Sequence, residues 1–151
     1  MNSSHKGLHR HKALHPLSHD HHRALFTALN LKRAGTEASR FSTTEVKEDT
    51  IYFWTTDGNT HFQNEEEVLL PVFAEYASVN QKDIQQMLIE HVEIRSAMQK
   101  LCRDREAFTT DQLNELGSLL EEHIRREERV IFPMIEQALP EERISKLVFK
   151  K

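Results

Sequence analysis

One eleven-residue pattern occurs twice in this chain, 62 residues apart, and it constrains the fold more than any other feature. The first copy is HFQNEEEVLLP at 61–71, and the second is HIRREERVIFP at 123–133. On an α-helix, residues i and i+4 lie on one face, so each copy directs an imidazole and a carboxylate to one place. The repeat therefore predicts two helices that present the same polar pair, His61 with Glu65 and His123 with Glu127.

The spacing of the apolar residues predicts four long helices. Only four glycines and four prolines occur in 151 residues, and no segment shows a sustained period of two. The predicted helices cover about 17–31, 45–77 with an irregularity at 57–59, 80 or 81–105, and 110–140, with Thr44 and Thr110 as N-caps. Connections this short predict an all-α, up-down-up-down antiparallel four-helix bundle with a short C-terminal tail helix in 141–149.

Composition bounds the domain organisation and the classes of partner. Residues 1–12 are expected to be a mobile, His-rich N-terminal tail, and 13–151 a single bundle domain. A net charge of −4 without a basic tract excludes nucleic acid, and no apolar run is long enough to span a bilayer. The single cysteine, Cys102, is interpreted as a small buried residue, and the absence of a secretory signal predicts a cytoplasmic protein. Protein partners are not predicted.

The histidines outside the tail lie within apolar stripes. His91 is flanked on the third helix by Ile84, Met87, Leu88, Ile94, Met98 and Leu101, and the two repeat copies run into apolar residues within two turns. These polar groups are therefore expected to be buried. Two buried carboxylates facing each other repel unless a cation lies between them, so the sequence predicts a metal site.

The first helix offers two adjacent histidines as ligands. The spacing of His21 from the apolar residues Leu14 and Leu17 favours His21 as the ligand. The spacing of His22 to Leu25 favours His22 instead, because His91 and Ile94 are spaced in the same way. His21 is preferred, and both residues stay candidates.

The complete set of donors indicates the metal. The candidate ligands are His21 or His22, His61, Glu65, His91, His123 and Glu127. Imidazoles and carboxylates suit iron or manganese better than the thiolate sites of structural zinc, and manganese or zinc is a possible substitute for iron. Two carboxylates can bridge two ions that lie about 3.5–4 Å apart, which leaves positions for a small ligand such as dioxygen, nitric oxide or peroxide.

These residues resemble the hemerythrin-like family of HHE cation-binding domains. The resemblance covers about 14–138 and rests on the segments Asp20-His21-His22, His61-Phe62-x-x-Glu65-Glu66, Glu90-His91-x-x-Ile94-Arg95 and His123-Ile124-Arg125-x-Glu127-Glu128. It implies a four-helix bundle that holds a carboxylate-bridged, non-haem di-iron site, with Glu65 and Glu127 as the bridging residues.

Two departures from the oxygen-carrying members bear on function. Those members have a second histidine one turn after the third-helix ligand, where this chain has Arg95, and an Asp five residues after the last histidine. The resemblance therefore implies a protein that binds or senses dioxygen, nitric oxide or peroxide without carrying oxygen reversibly. The alternative is an oxidoreductase or an iron-centre repair protein. Glu66 and Glu128 are expected to pair with basic residues such as Arg95 or Arg126, or to hydrogen-bond a ligand imidazole.

Overall fold

The computed structural model describes residues 9–151, and these residues form helices and no strand. A short 3-10 turn at Lys12–Leu14 precedes helix α1, His15–Arg33. Helix α2 covers 43–73 and consists of Thr43–Phe53, a π-helical turn at Trp54–Gly58, Asn59–Asn64, a second π turn at Glu65–Leu69, and Leu70–Phe73. Helix α3 is Lys82–Arg103. Helix α4 covers 110–138 as Thr110–Arg126, a π turn at Glu127–Ile131, and Phe132–Ala138, and helix α5 is Glu141–Ile144.

The all-α class with four long helices is thus confirmed. None of the helices in this part of the chain is both long and apolar enough to cross a membrane. Helix α1 packs along α4 and also contacts α2, while α3 contacts α2 and α4. The backbones of α1 and α4 come close together at Gly117, where an added Cβ atom would lie 2.8 Å from the Ala28 carbonyl oxygen.

The N-caps differ from the predicted ones by one or two residues. Ser42 caps α2, and its hydroxyl accepts from the Glu45 backbone while the Glu45 carboxylate accepts from the Ser42 backbone. Thr109 and Gln112 form the same reciprocal pair at the start of α4. Each pair satisfies two backbone N–H groups, which an isolated cap at Thr44 or Thr110 would not do. The predicted second helix also ends earlier, at Phe73 instead of 77.

Three π-helical turns widen the backbone of α2 and α4. The one at Trp54–Gly58 confirms the irregularity predicted beside Gly58. The other two begin at Glu65 and Glu127 and end two residues before Pro71 and Pro133. A proline has no N–H for the carbonyl four residues earlier, and its ring collides with that carbonyl, so the local α-helical bonding is interrupted. The N–H of Leu70 bonds instead to the carbonyl of Glu65, five residues back.

The buried apolar residues form two clusters, and the polar residues of interest lie between them along every long helix. One cluster contains Ala28, Leu31, Val46, Ile94, Met98, Leu113 and Leu120. The other contains Leu17, Leu69, Phe73, Ile84, Met87, Ile131 and Ile135. Two predicted core residues are wrong, since Leu88 is 37% exposed and Cys102 is exposed. The buried positions of α3 follow spacings of three and four residues, and this stripe skips both.

Most of the predicted tail over 1–12 lies outside the described residues. Its last residues contact α4: the Arg10 guanidinium donates to Glu136 at 2.9 Å, and the His11 backbone donates to the same carboxylate at 2.6 Å.

Candidate metal centre

Six of the seven predicted site residues lie together between the two apolar clusters. They are His21, His61, Glu65, His91, His123 and Glu127, and all six are buried. The seventh, His22, is exposed on α1 and lies outside this group. Because His21 lies four residues after Leu17 and three before Ala24, it shares their buried face.

The six side chains form two groups of donors that share both carboxylates. His21, His61, Glu65 and Glu127 form one group, and His91, His123, Glu65 and Glu127 form the other. Within each group, one donor atom per residue lies within 4.8 Å of all the others. We call them the α1 half and the α3 half, after the helices that hold His21 and His91.

Each carboxylate divides its two oxygens between the two halves. Oε1 of Glu127 lies 2.9 Å from His21 Nε2 and 3.7 Å from His61 Nε2, while Oε2 lies 3.2 Å from His91 Nε2 and 2.8 Å from His123 Nε2. Glu65 does the same, with Oε2 at 3.0 Å from His61 Nε2 and Oε1 at 3.0 Å from His91 Nε2. The two carboxylates are therefore placed between two pairs of imidazoles.

A second carboxylate accepts from the Nδ1 nitrogen of each imidazole. These outer carboxylates are Glu128 for His21 (2.6 Å), Asp20 for His61 (3.0 Å), Glu66 for His91 (2.7 Å) and Glu90 for His123 (2.8 Å). An ionised carboxylate only accepts, so Nδ1 carries the hydrogen in all four rings. In its neutral form each ring then directs the Nε2 lone pair toward the centre, as a metal ligand requires.

Three of the outer carboxylates also accept from an arginine. Arg10 binds Glu128 at 3.3 Å, Arg95 binds Glu66 at 2.9 Å, and Arg126 binds Glu90 at 3.1 Å. Glu66 and Glu128 pair with basic residues as expected, Glu66 with Arg95 and Glu128 with Arg10, and both also bind an imidazole, whereas Arg126 pairs with Glu90. Burial raises the pKa of each of these glutamates, but hydrogen bonds to the imidazoles lower it below the ordinary value.

Without a cation, protons on the imidazoles balance the two buried carboxylates. Burial lowers the pKa of His91, but Glu127, Glu65 and Glu66 raise it overall to about 11. The net shift is upward for His21, His61 and His123 as well, because the carboxylates outweigh burial. Burial raises the pKa of Glu127, but the surrounding imidazoles, His123 first, hold it well below its usual range. The centre therefore attracts positive charge strongly.

Several buried atoms in the middle of the centre have no hydrogen-bond partner. Within 9–151, the buried side-chain atoms that lack a hydrogen-bond partner include both oxygens of Glu65 and the Nε2 atoms of His61 and His123. His61 Nε2 and Glu65 Oε2 are close enough for an ion pair, but they are not aligned for a hydrogen bond. A buried polar atom without a partner lowers the stability of the folded state, and all four atoms face the shared interior. The donor set and these orphan atoms fit metal cations.

Aromatic rings and a small cavity complete the surroundings. Phe62 stacks on the His91 ring at 3.9 Å between centroids, and Phe132 stacks on the His21 ring at 5.3 Å. A cavity of about 20 Å³ lies beside His21, His61 and His123, and apolar side chains such as Trp54 and Ile94 line it. A space of this size holds one water-sized molecule.

Sequence reasoning missed two of the four outer carboxylates and both glutamate π turns. Asp20 and Glu90 each precede a candidate ligand histidine in the chain, but they bond to a histidine on another helix. Only the packing of the helices reveals these pairs. The shared proline at the end of each repeat copy was the available signal for the π turns.

The comparison with protein families agrees with the geometry of the site. The family model described as "Hemerythrin HHE cation binding domain" matches residues 16–135. No curated protein and no solved structure matched the chain. The match covers most of the chain and spans all six buried donors, so this protein belongs to the hemerythrin HHE cation-binding domain family.

Proposed function

We propose that this protein holds two iron ions bridged by Glu65 and Glu127 and uses them to bind or sense dioxygen or a related small molecule, such as nitric oxide or peroxide. The observation that carries the proposal is the division of each carboxylate between the two halves of the centre. One ion would be held by His21 and His61, and the other by His91 and His123. When bound, iron supplies redox chemistry and open coordination positions for a small ligand.

The residues around the centre support a small ligand. The cavity beside His21, His61 and His123 is apolar and holds one water-sized molecule, which suits a diatomic gas better than an organic substrate. The outer carboxylates fix the imidazole orientation, and Phe62 and Phe132 cover two of the rings.

The contacts among the four long helices support the up-down-up-down order, and the single cysteine supports a reducing, cytoplasmic location.

Arg95 favours a sensor or scavenger over a reversible carrier. Its guanidinium donates to Glu66 at 2.9 Å and to Asn59 at 2.5 Å, and it lies over the rings of Trp54 and Phe62. It therefore supports an outer carboxylate and adds no donor to the α3 half. With only two imidazoles per half, we expect the reduced protein to oxidise in air instead of holding oxygen reversibly.

Metal analysis after expression in iron-replete medium tests the di-iron assignment. We expect about two irons per chain and the spectrum of a coupled pair, because the two halves share both carboxylates. The His21→Ala variant should lose iron, and the neighbouring His22→Ala variant, which changes an exposed side chain, should keep it. A saturated preparation with one ion and no coupled spectrum contradicts the bridging roles of Glu65 and Glu127.

Stopped-flow mixing of the reduced protein with oxygenated buffer tests the functional class. Rapid, irreversible oxidation is expected. A long-lived oxygenated species that forms and disappears over many cycles would restore oxygen carriage, and steady turnover of peroxide would favour the oxidoreductase alternative.

A further inference from the structure

The two halves of the centre differ in how their imidazoles are supported. In the α3 half, the outer carboxylates of both His91 and His123 are held by arginines. In the α1 half, Glu128 behind His21 accepts from Arg10 and from Ser18, but Asp20 behind His61 has no basic partner besides His61 among residues 9–151. His61 is the imidazole with the weakest outer support.

Solvent exposure does not explain this difference. The side chain of Asp20 is 30% exposed, the same as that of Glu128, whose oxygens are held at three points. Asp20 also makes the longest of the four hydrogen bonds to an imidazole, 3.0 Å against 2.6–2.8 Å. A single hydrogen bond to a carboxylate that is 30% exposed is easily exchanged for water, whereas a carboxylate fixed by an arginine stays in position.

His61 also forms the wall between the centre and an outer cleft. The cleft has a volume of about 240 Å³, and its lining includes Pro16, Asp20, Thr60, His61 and Phe149. Asp20, Asp57 and His61 line the inner cavity as well, so these three residues lie between the two spaces. Of the two imidazoles of the α3 half, His91 lines neither space, and His123 lines the inner cavity but not the outer cleft. A change in the His61 ring would therefore connect the α1 half with solvent.

We infer that the two halves retain their ions unequally, and that the α1 half exchanges its ion through the outer cleft when the Asp20–His61 hydrogen bond opens. This inference rests on the proposed two-ion centre. Once His61 leaves, the ion in the α1 half keeps one imidazole and the two shared carboxylates. The ion in the α3 half keeps both of its imidazoles, because an arginine holds each outer carboxylate in place.

Anaerobic release of Fe²⁺ to a colorimetric chelator tests the inference without any measure of activity. The wild-type protein, loaded with two ferrous ions, should release one ion in a fast phase and one in a slow phase. Asp20→Asn keeps the side-chain volume but removes the charge that supports His61. It should speed the fast phase about tenfold or more and leave the slow phase unchanged, since the loss of such a partner weakens metal binding about 10–100-fold.

Glu90→Gln is the matched control in the other half. It removes the outer carboxylate of His123 in the same conservative way and should speed only the slow phase. Release of both ions at one rate by the wild-type protein, or acceleration of the slow phase by Asp20→Asn, overturns the inference. A protein that takes up fewer than two ions overturns the two-ion centre itself, which separates the two failures.

Discussion

Removing the metal is expected to lower the stability of this protein strongly. In the metal-free centre, four buried atoms lack hydrogen-bond partners: both oxygens of Glu65 and the Nε2 atoms of His61 and His123. An unsatisfied buried polar atom costs about 1–3 kcal/mol. The four atoms lie within 3.0 Å of oppositely charged groups without being aligned for hydrogen bonds, so the lower end of that range applies. This gives about 4 kcal/mol for the four atoms, and coordination to cations would remove this cost.

Mass action gives a stabilisation of the same size for a chosen excess of metal over its dissociation constant. A ligand present at about a thousand times its dissociation constant stabilises the folded state by about 4 kcal/mol. For a chain of about 150 residues, 1 kcal/mol shifts the melting temperature by about 2–4 °C. The metal-loaded protein should therefore melt about 8–16 °C above the metal-free protein.

Thermal unfolding followed by circular dichroism, with and without a chelator, measures this shift. Mn²⁺ is a suitable probe because it resists oxidation in air and takes the same nitrogen and oxygen donors. The double variant Glu65→Gln, Glu127→Gln preserves the side-chain volumes and removes the shared charges, so chelator should not change its melting temperature. Equal melting temperatures of the wild-type protein with and without chelator would refute the reasoning.

Three further predictions concern packing, capping and pH. Gly117→Ala should destabilise the protein by about 1–3 kcal/mol in urea titrations without changing its metal content, because the added methyl meets the α1 backbone at 2.7–2.8 Å; an unchanged urea midpoint contradicts this. Ser42→Ala should lower the free energy of unfolding by about 1 kcal/mol in the same assay, whereas Thr44→Ala, two residues after the cap, should lower it less. Because the folded metal-free protein raises the pKa of its imidazoles, with His91 at about 11, their contribution to stability is complete below about pH 6.5 and declines as pH rises. The melting temperature of metal-free protein should thus fall between pH 6.5 and 9, and that of metal-loaded protein should not, since protons compete with the metal.

The helices and the buried donors follow from local sequence patterns. A histidine and a glutamate four residues apart share a helix face in any helix, so His61 with Glu65 and His123 with Glu127 could be assigned before the packing was known. His21 could be distinguished from His22 only from all the buried apolar positions of α1 together, because the spacing of His22 to the half-buried Leu25 also matches that of a buried residue. Leu88 was wrongly predicted to be buried because it follows the buried Met87 directly, outside the three- and four-residue spacing of the buried positions on α3.

The outer carboxylates depend on contacts between helices that the sequence does not encode locally. Asp20 lies beside His21 in the chain but binds His61 of α2, and Glu90 lies beside His91 but binds His123 of α4. Adjacent residues on a helix point about 100° apart, so neither carboxylate can serve its neighbour. Arg10, from a segment predicted to be mobile, also binds Glu128 and Glu136 across more than a hundred residues.

The π turns at Glu65–Leu69 and Glu127–Ile131 each take up one extra residue within a helix. A regular α-helix advances by about 100° per residue, so one extra residue in a regular segment would rotate everything beyond it by that angle. A π turn holds the extra residue in a wider turn closed by a bond five residues back, so the residues beyond it keep the direction they would have in an α-helix that is one residue shorter. In α2 the residues beyond the turn include Leu70 and Phe73, and in α4 they include Phe132 and Ile135, all of which are buried. We therefore expect that deleting one residue between the glutamate and the proline converts the turn to an α-helix and leaves these side chains in the core, whereas a one-residue deletion in a regular segment such as α1 would rotate its buried face out of the core.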